Sequence, residues 1–91
     1  MDQAEGAQVE MPRYKCHKEV WALKIKYVVV DLNDGSAMIT PAEDGYAPFK
    51  VDGSYTHKHN PQPGGYYVVY KDGYKSWSPA EAFEDGYTRA N

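Results

Sequence analysis

The chain shows its architecture most clearly between residues 64 and 81, which read Gly64-Gly65-Tyr66-Tyr67-Val68-Val69-Tyr70-Lys71-Asp72-Gly73-Tyr74-Lys75-Ser76-Trp77-Ser78-Pro79-Ala80-Glu81. The Asp72-Gly73 pair is typical of a two-residue hairpin loop, because both residues tolerate positive φ. Ser78 has the position of a helix N-cap, with Pro79 at the first helical position and Glu81 placed to complete a capping box. This stretch therefore predicts a tight β-hairpin followed directly by a short helix.

A long strand is predicted upstream of this hairpin, over residues 19–30. Alternate positions there follow the period of two that a half-buried strand shows. The set expected to face the core consists of Trp21, Leu23, Ile25, Tyr27 and Val29. Asn33-Asp34-Gly35 then supplies a turn, and residues 36–39 are expected to return as a second strand.

The capping pattern occurs a second time in Thr40-Pro41-Ala42-Glu43. We expect a second capped helical turn there, with Gly45 and Gly86 ending the two helices. Residues 47–51 predict an edge or irregular segment, because Pro48 cannot donate to a ladder. Residues 52–59 predict a further short helix with Asp52 or Ser54 as its cap.

Together these elements predict an α+β fold, a small twisted antiparallel sheet of two hairpins with short capped helices. Ninety-one residues are enough for one domain with a modest core. Residues 1–13 are polar and lack periodicity, which predicts a disordered N-terminal arm. Residues 14–91 are then the single α+β domain.

The composition excludes several classes of protein. A single cysteine, Cys16, cannot form an intramolecular disulfide and fits a reducing cytoplasm. No apolar run approaches the roughly 20 residues that span a membrane. The net charge of −3, with acids and bases interspersed, argues against general duplex-DNA binding.

Residues of the kinds that catalyse reactions are present without the spacing that catalysis or metal binding needs. His57 and His59 are two positions apart and far in sequence from Cys16, which is not a zinc-site pattern. Five aspartates occupy turn or cap positions: Asp34, Asp44, Asp52, Asp72 and Asp85. We therefore expect no enzyme, no metal site and no cofactor.

Tyrosine is over-represented, with nine residues against two phenylalanines and two tryptophans. Pairing across Asp72-Gly73 is expected to put Tyr66, Val68, Tyr70, Lys75 and Trp77 on one face of the hairpin. The other face would then carry Tyr67, Val69, Tyr74 and Ser76. We expect Tyr66, Tyr70 and Trp77 to stack on a ligand, with Lys75 and Arg89 meeting phosphates. The same residue types make hot spots in protein interfaces, so a nucleotide-type ligand and a protein partner both remain open.

Two stretches, residues 14–25 and 64–87, resemble short accessory proteins encoded by tailed bacteriophages and prophages. That resemblance implies a small acidic protein of the host bacterial cytoplasm, and many such proteins antagonise host defence. The order of elements is also similar to the C-terminal half of the second Thoeris anti-defence family, whose members sequester nucleotide-derived immune signals without degrading them. This chain departs from that family where an N-terminal helix and a basic Gly-Trp segment would be.

The resemblance implies a non-enzymatic phage protein that inhibits antiphage defence by sequestering a cyclic or ADP-ribose-like nucleotide. A chain of this size has little interior to spare, so the pocket is expected between the protomers of a homo-oligomer. Two alternatives remain. One is a protein-binding inhibitor of a host defence complex, of the anti-CRISPR type, and the other is a structural or assembly component of the phage.

Overall fold

The computed structural model describes residues 19–89, so the predicted N-terminal arm and Cys16 lie outside the described residues. The described chain forms five strands and two helices. In chain order they are β1 (Val20–Val30), β2 (Ala37–Pro41), β3 (Phe49–Val51), α1 (Gly53–His59), β4 (Tyr66–Tyr70), β5 (Lys75–Ser78) and α2 (Ala80–Gly86). The strands make one curled antiparallel sheet, which confirms the predicted α+β fold.

β1 is the central strand of the sheet order β3-β2-β1-β4-β5. Residues 20–24 of β1 pair with β4, and residues 25–30 pair with β2. The pairing is irregular where the two halves meet, because Ile25 lies opposite Pro41 and Tyr27 opposite Thr40. Lys26 is therefore an extra residue, and such a β-bulge bends a strand and increases its twist. The bulge is where the sheet changes partners.

The bulge also exchanges the two faces of β1, which corrects the predicted core-facing set. Ile25 is buried, and beyond it Val28 packs against the core while Tyr27 and Val29 are exposed. One inserted residue moves every later side chain to the other face, because the side-chain period of a strand is two. The prediction is also wrong for Trp21, which is exposed near the start of β1.

The core lies on one face of the sheet and is closed by α1. Its buried members are Ile25, Ala37, Ile39, Val51 and Tyr55, and Val28, Phe49, Tyr67 and Trp77 pack around them. Full burial of a side chain of this size stabilises a fold by roughly 1.5–3 kcal/mol. The Tyr55 hydroxyl donates a hydrogen bond to the Ser76 carbonyl oxygen at 2.7 Å, which joins α1 to β5. Burial raises the pKa of Tyr55.

α1 begins and ends where its capping residues predict. The Asp52 carboxylate accepts a hydrogen bond from the Tyr55 backbone N–H at 2.9 Å, which confirms Asp52 as the N-cap. Asn60 ends the helix in the left-handed region, with φ of 45°. The edge prediction for residues 47–51 is also confirmed, since β3 is an edge strand.

The hairpin between β4 and β5 has a three-residue loop, so the two-residue loop predicted at Asp72-Gly73 is wrong. Tyr70 and Tyr74 close the loop, and the Gly73 N–H donates to the Tyr70 carbonyl at 2.8 Å. Gly73 adopts φ of 91°, as the last residue of such a loop does. The extra residue shifts the register, so Trp77 pairs with Tyr67 and Lys75 pairs with Val69. Directly opposed residues share a face, so Trp77 and Lys75 lie on the opposite face from Tyr66 and Tyr70.

The two capping-box predictions are wrong, because strand pairing recruits the residues concerned. Pro41 ends β2, and the Ala42 N–H donates to the Lys24 carbonyl, which extends the ladder where a helix was expected. Ser78 belongs to β5 opposite Tyr66, and α2 begins one residue later than predicted, with Pro79 as its N-cap and no side-chain hydrogen bond. Of the two expected helix-ending glycines, Gly86 is the last residue of α2, whereas Gly45 ends no helix.

Gly45 has φ of 95° and lies in a turn that follows no helix. Gly86 is the last residue of α2 but has no positive φ, and the C-cap is Tyr87, which has an extended backbone. α2 is held against the sheet by an aromatic stack. The Phe83 ring lies 4.2 Å from that of Tyr66 and 4.6 Å from that of Tyr87, between ring centroids.

Candidate binding surface

Exposed apolar side chains are concentrated on the β1–β2 hairpin. Eight large apolar side chains are exposed among residues 19–89, and five of them lie between residues 25 and 41, where β1 pairs with β2: Tyr27, Val29, Val30, Leu32 and Met38. Isolated exposed apolar residues are ordinary, whereas a group of them on one element marks a site of interaction. We refer to Tyr27, Val29, Leu32 and Met38 as the hairpin surface.

The bulge in β1 creates this surface. Val29 lies directly opposite Met38, and Tyr27 is two residues before Val29 on the same strand face. Their exposed fractions are 65% for Val29, 55% for Tyr27 and 43% for Met38. The two helices of the described chain pack elsewhere, α1 on the core and α2 on Tyr66. Within residues 19–89, no helix therefore covers this face of the hairpin.

The turn that joins the two strands is held by hydrogen bonds to aspartate side chains. The Asp31 carboxylate accepts from the Asn33 N–H at 2.9 Å. The Asp34 carboxylate accepts from both the N–H and the hydroxyl of Ser36, at 3.0 and 2.7 Å. The Asp31 N–H in turn donates to the Ser36 carbonyl at 2.7 Å. These bonds fix the backbone around Leu32, whose side chain is 93% exposed.

Two lysines flank the hairpin surface. The Lys26 ammonium lies 5.4 Å from the centre of the Tyr27 ring, within range of a cation–π interaction. Lys50 lies opposite Met38 on β3, with its ammonium 3.9 Å from Asp34. The pKa of Asp34 is lowered chiefly by the hydroxyl of Ser36 and then by its backbone N–H, with a smaller effect of Lys50. The surface is thus apolar at its centre, with Lys26 and Lys50 at two edges and the carboxylates of Asp31 and Asp34 in the turn.

Tyr66 and Tyr70, predicted as ligand-stacking residues, lie on the α2 side of the sheet. The Tyr66 hydroxyl donates to Glu84 at 2.7 Å, and Lys24 pairs with the same carboxylate at 3.4 Å. The hydrogen bond to Glu84 raises the pKa of Tyr66. One face of the Tyr66 ring is covered by Phe83, and Tyr70 stacks with Tyr74 at 5.7 Å.

Trp77 and Lys75 lie on the other face of the sheet. Trp77 packs around the core, with its ring pressed against Gly65. Its indole Nε1 is the buried side-chain polar atom without a hydrogen-bond partner among residues 19–89. Lys75 lines a surface pocket of about 270 Å³ between β3 and β5, together with Lys50, Val51, Asp52 and Tyr55.

Arg89 is held away from both groups. Its guanidinium makes two parallel hydrogen bonds to Glu43, at 2.9 and 3.0 Å, which lower the pKa of Glu43. The structure therefore brings Tyr66 and Tyr70 to one face, Trp77 and Lys75 to the opposite face, and Arg89 to the loop after β2. Ligand binding by these residues remains a prediction.

The hairpin surface was missed in the sequence, although a signal for it is present. Residues 27–30 are apolar without interruption, so the strict alternation of β1 stops after Lys26. Four consecutive apolar residues cannot all face one core from a strand. Reading that break as a change of face would have placed Tyr27 and Val29 outside.

Two further properties concern residues 19–89 as a whole. This part of the chain contains no group of three or more His, Cys, Asp or Glu side chains arranged to hold a metal ion. Neither of its helices has the length and apolarity needed to cross a bilayer.

The fold is similar to that of a phage structural protein. The solved structure is the solution structure of the monomeric form of the phage L decoration protein. The two chains are 28% identical, with a TM-score of 0.63 over 81% of this chain. This chain spans about half the length of that protein, 54% of which is covered.

No family model and no curated protein matches the chain. The decoration protein agrees with the predicted resemblance to small phage proteins. The likeness to the second Thoeris anti-defence family finds no support.

Proposed function

We propose that this protein is a structural component of a tailed-phage particle and binds the outside of the particle as a decoration protein. It acts by binding and not by catalysis. The single observation that carries the proposal is the 28% identity to the phage L decoration protein, on a shared fold that includes most of this chain. The similarity therefore includes the amino-acid sequence as well as the fold.

The exposed surface supports the same proposal. A decoration protein needs a face that recognises another protein, and the β1–β2 hairpin offers apolar side chains on a fixed backbone. The nucleotide alternative needs Tyr66, Tyr70 and Trp77 around one base. The register of β4 and β5 puts Trp77 on the other side of the sheet from the two tyrosines. The observations therefore favour the structural alternative over sequestration.

The test uses particles of the phage that encodes the chain. Particles are prepared with the gene deleted, mixed with purified protein, and separated from free protein on a density gradient. We expect saturable binding in a fixed ratio to the main shell protein, and we expect the chain in wild-type particles by mass spectrometry. Its absence from wild-type particles, together with no binding at micromolar concentration, would refute the proposal.

A second measurement distinguishes the nucleotide alternative. Thermal denaturation is followed with cyclic dinucleotides, cyclic trinucleotides and ADP-ribose derivatives in excess. A ligand at 100 times its dissociation constant stabilises the folded state by about 2.7 kcal/mol, which is a shift of many degrees for so small a domain. Such a shift, without particle binding, would favour sequestration. Light scattering on the same samples tests the predicted homo-oligomer.

A further inference from the structure

We infer that the β1–β2 hairpin is the face that attaches this chain to a protein of the phage shell, with Leu32 entering an apolar cleft of that protein. The inference rests on the proposed function, because it names the surface by which the particle is bound. Lys26 and Lys50 would then face carboxylates at the rim of the cleft.

Leu32 is exposed on a turn whose backbone is fixed. A leucine that is 93% exposed contributes almost no burial to the fold of the free chain. The backbone around it is nevertheless tied by the Asp31 and Asp34 hydrogen bonds. A preorganised loop loses little conformational entropy on binding, so burial of its side chain is converted efficiently into affinity.

The hairpin surface is smaller than one side of a stable interface. With the exposed fractions given above, the four side chains offer on the order of 500 Å², within the roughly 300–600 Å² of the largest patch on a typical monomer. A stable interface of standard size buries roughly 800 Å² on each partner. Two copies meeting through this surface alone would fall short of that area. A larger partner can add area around the rim.

Charged side chains surround the apolar residues of the hairpin surface. The carboxylates nearest the tip keep their charge but bond to the turn itself, where Asp31 accepts the Asn33 N–H and Asp34 accepts from Ser36. Lys26 and Lys50 remain exposed beside the apolar residues, Lys50 making only a 3.9 Å contact to Asp34. An apolar cleft with carboxylates at its rim is the complementary partner.

Leu32 does not contribute to the core, so it can be replaced without unfolding the protein. Because the side chain is almost fully exposed, replacing it changes the surface and leaves the core untouched. Leu32→Asp adds a charge at the centre of the proposed contact. Leu32→Met keeps an apolar side chain of similar volume and is the matched control. Trp21→Ser removes another exposed apolar residue, near the opposite end of β1.

The experiment measures binding of the four proteins to particles that lack the chain, with circular-dichroism melts in parallel. We expect Leu32→Asp to weaken binding at least about tenfold, as for a residue at the centre of an interface. Leu32→Met and Trp21→Ser should bind within about threefold of wild type, and the melting temperature of the Leu32 variants should be unchanged. Lys26→Glu combined with Lys50→Glu should weaken binding and reduce its salt dependence.

Each contrary result has one meaning. Equal binding by wild type and Leu32→Asp would refute the hairpin surface as the attachment face and would leave the proposed decoration role intact. No binding by wild type would overturn both. If wild type forms dimers that Leu32→Asp abolishes, and both bind particles equally, the occupant of the surface is a second copy and the inference is wrong.

Discussion

Replacing Gly65 by alanine tests the packing that joins the β4–β5 hairpin to the core. Gly65 lies just before β4, and its carbonyl accepts a hydrogen bond from the Ile25 N–H at 2.8 Å. A Cβ atom at this position would lie 2.5 Å from Cε2 and Nε1 of Trp77. Gly65 does not have positive φ, so the backbone accepts alanine and the effect of the substitution is steric.

The size of the effect follows from the displacement required. Carbon atoms in contact prefer separations of about 3.5–4.0 Å, so the Trp77 ring must recede by about 1 Å. Trp77 packs around the core, and overpacking at such a position costs about 1–3 kcal/mol. For a domain of this size each kcal/mol lowers the melting temperature by roughly 4–8 °C. We therefore expect Gly65→Ala to melt at least about 4 °C below wild type.

The assay is thermal unfolding followed by near-ultraviolet circular dichroism, which reports the surroundings of Trp77 because Trp21 is largely exposed. Gly86→Ala is the control, since a Cβ there meets nothing within 4 Å and the residue has no positive φ. It should melt within about 1 °C of wild type or above it. A Gly65→Ala variant with unchanged melting temperature and near-ultraviolet spectrum would refute the packing argument.

Three further predictions concern α1 and its neighbours. Tyr55→Phe removes the hydrogen bond to the Ser76 carbonyl and should lower the free energy of unfolding by about 1 kcal/mol, measured by urea titration. Gly53→Ala puts a Cβ 2.7 Å from the backbone oxygen of Asp34, so it should lower the melting temperature and also weaken particle binding by shifting the turn that carries Leu32. Hydrogen bonds from the Tyr55 N–H and the Ser54 side chain lower the pKa of Asp52 below that of the unfolded chain. The unfolded chain then binds more protons in acid, so stability is present above about pH 4 and is lost as the pH falls through the folded pKa. Asp52→Asn should leave stability at pH 7 nearly unchanged and make its fall below about pH 4 shallower.

The sequence predicts local structure best where a side chain bonds to its own neighbouring backbone. Asp52 caps α1 because the bond to the Tyr55 N–H needs nothing from the rest of the fold. The Ser78 hydroxyl could cap a helix in the same way, yet Ser78 pairs with Tyr66 as part of β5. A sheet partner distant in sequence overrides a local cap, and the cap alone does not reveal that partner.

Strand faces are harder to predict, because they depend on counting single residues. Lys26 is one extra residue in β1, and Gly73 makes the β4–β5 loop one residue longer than the Asp-Gly signal indicates. Each shift exchanges the faces of the residues that follow. The same cause turned Tyr27 and Val29 outward and separated Trp77 from Tyr66 in the candidate site. The α+β class and the order of the strands were unaffected.

The division of β1 between two partners has a consequence for how the chain is made. Residues 25–30 pair with β2 across a short turn, whereas residues 20–24 pair with β4, which lies beyond β2, β3 and α1 in sequence. Closing a long loop costs more entropy than closing a short one, so the β1–β2 hairpin should form first. During translation the first half of β1, with Trp21 and Leu23, stays without its strand partner until the ribosome has synthesised β4. Nascent chains that stop before residue 66 carry an unpaired apolar edge, and they are the species that should aggregate or need a chaperone.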